Sequence, residues 1–88
     1  MITKDHIILA PQGLHARPAT TLIRLAKSFK SIISLKKGDK TIKLNSMLNI
    51  LSLTINGGEI ITIIIDGEDE NEAETAISQF FTEQLKDL

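Results

Sequence analysis

Residues 59–66 read EIITIIID, a run of β-branched side chains that fits a strand, though it is too apolar to show clean alternation. The run is the extreme case of a habit of the whole chain. Fifteen of the 88 residues are isoleucine, three are phenylalanine, and there is no tryptophan or tyrosine. A core drawn from that stock is aliphatic and β-branched, which favours strands. The aromatic platform on which single-stranded nucleic acids stack is all but absent.

A chain of 88 residues has room for one hydrophobic core, so residues 1–88 are expected to form a single small domain. Ten basic residues against eleven acidic ones leave a net charge of −1. That balance exerts no general pull toward nucleic acid or an anionic membrane, so any phosphate binding must come from a local arrangement. No cysteine is present, which excludes a disulfide framework and thiolate chemistry. The apolar runs are too short to cross a bilayer, and the opening MITKDH lacks the apolar stretch of a signal peptide. Cytoplasmic residence is the expectation.

HIILA at 6–10, closed by PQG, reads as a strand and turn. Ala19, Leu22, Ile23 and Ala26 fall at i, i+3, i+4 and i+7, one face of a helix that should fade after Lys27. Pro18 belongs in its first turn, where the missing N–H costs little, and this places His15 at or beside the N-cap. The stretch 31–44 reads as two strands joined through KKGDK, with Gly38 supplying the turn. SMLNILSL at 46–53 opens on a good N-cap residue and reads as a short helix; NGG at 56–58 is a turn before the isoleucine-rich strand. Asp69 and Glu72 resemble a capping box ahead of Ala73, Ala76, Ile77 and Phe80, with Lys86 near the end of that last helix. The order βαββαβα predicts an α+β fold, with helices on one face of a small sheet. Ile7, Leu9, Ile60 and Ile64 are expected on the other face. It is the one feature that would support self-association of an otherwise expected monomer.

The stretch QGLHARPATT at 12–21 places chemistry at the start of the first helix. A helix N-terminus offers unpaired N–H groups and partial positive charge, so it stabilises an anion. Gly13 permits close approach, and Arg17 can bind the same anion through charge-assisted hydrogen bonds. His15 beside them is a nucleophile next to a ready oxyanion binder. The arrangement suits acceptance of a phosphoryl group, with Arg17 and backbone N–H groups taking its oxygens. No neighbouring ligands suggest a metal site, no acidic partner suggests a Ser-His-Asp arrangement, and His6 reads as a structural or edge residue. No cofactor is implied.

GLHARPAT at 13–20 resembles the active-centre motif of the histidine-containing phosphocarrier (HPr) family. NSMLNILSL at 45–53 is similar to that family's second signature, and GEDENEA at 67–73 to the turn entering its last helix. The likeness covers nearly the full length. It implies an open-faced two-layer sandwich of four antiparallel strands with three helices on one side. It also implies a carrier in the phosphoenolpyruvate-dependent sugar phosphotransferase system. Enzyme I would phosphorylate His15 on Nδ1, Arg17 would stabilise the phosphate, and IIA domains of sugar permeases would receive it. Such a carrier is a stoichiometric substrate of phosphotransferases, not an enzyme. A nitrogen-related branch shares the same chemistry with different partners, and a regulatory module that binds partners without transfer is the alternative from another class.

Ser46 matches the family serine modified by a dedicated kinase and restored by a phosphorylase, a state read by catabolite control protein A. A phosphate at a helix N-terminus is electrostatically tolerable, and serine there also serves as a plain N-cap. Asn49 stands where regulated members often have glycine, and Met47-Leu48 departs from their usual pair. Met47, Leu48 and Leu51 share one side of the short helix and read as a partner-docking patch, while Ile50 and Leu53 can point inward.

Overall fold

Every strand runs antiparallel to its neighbours, and the isoleucine-rich run lies inside the sheet with a partner on each side. The computed structural model describes residues 1–88. In chain order the elements are β1 (Ile2–Ile7), α1 (Ala16–Lys27), β2 (Ile32–Lys37), β3 (Lys40–Lys43), α2 (Met47–Ser52), β4 (Ile60–Asp66) and α3 (Glu70–Gln79). The last helix continues through a wider π-type turn, Phe80–Gln84, and a 3-10 turn, Leu85–Asp87. The sheet order is β1-β4-β2-β3, so β4 slots between the two strands that α1 connects. This is the expected open-faced α+β sandwich of four strands and three helices.

The two faces of β4 explain its composition. Ile61, Ile63 and Ile65 are each 1% exposed and form the floor of the core with Ile33 and Leu35 of β2. Onto that floor α1 lays Ala19, Leu22, Ile23 and Ala26, the residues its spacing singles out, and α3 lays Ala73 and Ile77. Phe80 and Phe81 are both buried and meet edge to face at 5.1 Å. The alternate residues of β4 face outward with β1: Ile60 pairs with Ile7, and both are exposed, as is Leu9. Ile64 is half-buried there, and Ile32 is also exposed on β2.

Two local expectations are corrected. The first strand is Ile2–Ile7, not 6–10, because β4 supplies backbone partners from Ile60 to Ile65 whatever the side chains of TKDH prefer. Thr3 and Asp5 face solvent, and Lys4 reaches Glu74 at 2.9 Å. Ile8 lies beyond the strand but is 1% exposed, held by N–H and carbonyl bonds to Glu59 and Gly58. The second correction concerns Asp69. It is the N-cap residue of α3, but its carboxylate makes no cap bond. It accepts instead from the Ser31 hydroxyl and from the backbone N–H groups of Lys30 (2.7 Å) and Ser31 (2.9 Å), tying the α1–β2 loop to the start of α3. Those donors, the Ser31 hydroxyl first, hold its pKa below the usual carboxylate range.

Candidate functional site

Two loops meet backbone to backbone at one end of the sheet, and their contact sets the position of His15. Gly13 has φ +72°, and a Cβ there would overlap the Ile55 carbonyl oxygen and stand 2.8 Å from the Asn56 Cα. The Leu14 N–H donates to the Ile55 carbonyl at 3.0 Å, and the Gly13 N–H to that of Ala10 at 2.9 Å. Across the contact, Gly57 lies so close to the Ala10 and Pro11 carbonyls that a Cβ would stand 2.5 Å and 2.8 Å from them. Only glycines permit this approach.

The chain leaving Gly13 enters α1 with His15 as N-cap residue, in extended backbone conformation. The His15 carbonyl accepts from the Ala19 N–H at 3.0 Å, but its half-buried ring makes no cap bond and stays available. Pro18 lacks an N–H, so the open donors of the first turn are those of Ala16 and Arg17, which bond nothing within the protein. Arg17 is exposed, its guanidinium enters no ion pair, and the first turn holds no acidic residue. The mouth of α1 is thus electropositive and unoccupied by any anionic side chain.

Helix α2 flanks α1 through Met47, whose sulfur receives the Thr20 hydroxyl at 3.3 Å. Its phase agrees with the spacing: Ile50 is wholly buried and Leu53 joins the core, while Leu48 is 79% and Leu51 40% exposed. Met47 is half-buried. Ser46 occupies the N-cap position, yet its hydroxyl makes no cap bond, so the position alone does not account for a serine. Just past the helix, Thr54 has φ +50°, the one residue besides glycines in the left-handed region. The Lys37 ammonium holds it, donating to the carbonyls of Leu53 (3.2 Å) and Thr54 (2.6 Å) while paired with Glu59. Glu59 also accepts from the Asn56 N–H at 2.5 Å; that bond, with Lys37, holds its pKa below the usual carboxylate range. A β-branched residue is strained at such a helix end, where glycine is usual. Thr54→Gly is therefore expected to stabilise the fold by about 0.5–1 kcal/mol, after the entropy glycine adds to the unfolded chain. A rise in the urea midpoint at unchanged m-value checks it.

His15 also borders a hollow of about 200 Å³ lined by Ala10, Pro11, Gln12, Lys86 and Leu88. Lys86 and Leu88 carry no local signal for this placement; only the course of the last helix brings them across the molecule. The second histidine has a structural setting. His6 is 8% exposed on β1 and stacks on Phe81 with ring centroids 4.7 Å apart. Burial and then Lys4 push its pKa down, against smaller opposing effects of Glu74 and Asp5, so its neutral form is favoured. His, Asp and Glu side chains form no cluster able to hold a metal ion.

Known proteins share this architecture. The chain matches the family model described as PTS HPr component phosphorylation site over residues 2–83. It is 35% identical over 83 residues to the phosphocarrier protein HPr of Lysinibacillus sphaericus, covering 94% of each chain. To that of Haemophilus influenzae it is 41% identical over 73 residues, covering 83% of this chain and 86% of the relative. The crystal structure of HPr-C-His from Thermoanaerobacter tengcongensis superimposes with a TM-score of 0.91 at 30% identity, over 97% of this chain and 96% of that one. With the family model spanning nearly the whole chain, and relatives alike in sequence and in fold, the protein belongs to the HPr family of the phosphotransferase system.

Proposed function

We propose that the protein is a phosphocarrier whose His15 takes a phosphoryl group from enzyme I and passes it to IIA domains of sugar permeases. The observation that carries this reading is the ring at the mouth of α1, committed to no cap bond, beside two free backbone donors and an unpaired guanidinium. The Nδ1 lone pair attacks phosphorus on the phosphorylated donor. A P–N bond forms to His15 as the donor's bond to phosphorus breaks, and the donor keeps that electron pair. Charge on the three equatorial oxygens is met by the N–H groups of Ala16 and Arg17 and by the Arg17 guanidinium. Transfer onward runs the same step in reverse toward a new acceptor, so the carrier is regenerated by its partners rather than turning over alone.

Met47, Leu48 and Leu51 would dock those partners, an apolar patch small enough for contacts that form and release quickly. Ser46 would be the regulatory site, phosphorylated by a serine kinase and restored by a phosphorylase, with catabolite control protein A as a partner of the modified form. Its uncommitted hydroxyl supports this assignment.

Incubation with phosphoenolpyruvate and enzyme I tests the carrier reading by intact-mass analysis. One acid-labile phosphate on His15 is expected. An unchanged mass, or an acid-stable label on another residue, would remove it. Supplying the sugar-branch or nitrogen-branch enzyme I in turn identifies the natural donor.

A further inference from the structure

The polar side chains around the His15 hollow, apart from the ring, are those of Gln12 and Lys86, and no Asp or Glu side chain lines it. Lys86 rises from the terminal 3-10 turn, which is anchored by wholly buried Leu85 and by the bond from the Leu88 N–H to the Leu85 carbonyl at 3.1 Å. The ammonium has no counter-ion. Like Lys27, Lys36, Lys40 and Lys43, Lys86 enters no ion pair, but it alone among the lysines lines the hollow that His15 borders. A lysine beside an unmodified imidazole meets no negative charge there. Beside a ring bearing a phosphoryl group it faces two negative charges at short range. Its four-carbon stem lets the charge swing onto the group without moving the anchored turn.

We propose that Lys86 is a second cationic ligand of the phosphoryl group, joining Arg17 and protecting the phosphohistidine from hydrolysis between donor and acceptor. This rests on the carrier reading of His15. Lys86 touches the group only while it is on the ring, so its effect falls on the lifetime of the charged carrier rather than on folding.

The test charges the full chain and its Lys86→Gln and Lys86→Arg variants with phosphoenolpyruvate and enzyme I. Enzyme I is then removed, and acid-labile phosphate is followed over time at low and high salt. The expected result is a loss about threefold faster for Lys86→Gln at low salt, the scale of one solvent-exposed ionic contact. Lys86→Arg should keep the wild-type lifetime, the difference should fade at high salt, and melting temperatures should coincide. Equal lifetimes for wild type and Lys86→Gln overturn the assignment and leave the carrier reading standing. A faster loss that arginine does not rescue, or that salt does not touch, also overturns it, since that would be a packing effect. A wild-type chain that takes up no phosphate overturns the carrier reading and this assignment together.

Discussion

Replacing Arg17 by alanine is expected to slow phosphoryl uptake by about 100-fold, the scale on which a transition-state oxyanion donor is felt. Thermal unfolding should hardly change. The guanidinium is exposed and enters no ion pair in the unphosphorylated protein, so its removal breaks none. Alanine is also the better helix former at that position. Arg17→Lys should recover part of the rate, because a point charge replaces the planar fork that can take two oxygens at once. Stopped-flow or quench-flow uptake from phosphorylated enzyme I, beside a melting curve, gives both quantities. A rate for Arg17→Ala equal to wild type would show that the backbone donors suffice. A large fall in melting temperature would mean that the arginine supports the fold instead.

Gly13→Ala is expected to cost about 4 kcal/mol of stability, and two separate effects contribute. The left-handed conformation at φ +72° strains any L side chain by about 1–2 kcal/mol. The added methyl would also collide with main-chain atoms of Ile55 and Asn56, which cannot rotate away as a side-chain tip can; overpacking of this kind costs about 1–3 kcal/mol. Gly38→Ala separates the two effects, because Gly38 has φ +62° but open space around it, so only the strain applies. Urea denaturation followed by far-UV circular dichroism should place Gly13→Ala well below Gly38→Ala. Equal midpoints for the two would show that the loops yield and that the close approach constrains nothing. The loss is large against the roughly 4–13 kcal/mol available to a domain of this size.

The ease of reading differed between parts of the molecule for physical reasons. The face of α1 was legible because its four core positions repeat at the helical period within twelve residues. The candidate site was legible because glycine, ring, guanidinium and proline follow one another along the chain, so no knowledge of topology was needed to bring them together. The start of β1 was not, because Lys4 and Asp5 have little intrinsic reason to form a strand and do so through pairing with β4. Asp69 had the residue type of a cap, but whether a carboxylate turns to its own helix or to a passing loop is decided by tertiary proximity, here to Lys30 and Ser31. The strain at Thr54 is silent in sequence, since threonine is a common loop residue and its φ is imposed by the end of α2 and the grip of Lys37. Lys86 is the least legible: it follows the π-type turn Phe80–Gln84 at the far end of the chain, and only the tertiary course of the last helix sets it beside the His15 hollow.

The stitching of the two loops has a mechanical consequence. Segments that carry reactive groups are commonly pliant, yet here Ile8, Gly13, Leu14 and Gly58 are bolted by main-chain bonds of 2.8–3.0 Å. Their amides should exchange with solvent as slowly as those of the strands, although they sit in connecting segments. A stiff mount of this sort spares each incoming protein the entropy of ordering its target, so brief encounters between small surfaces are enough to align donor and acceptor.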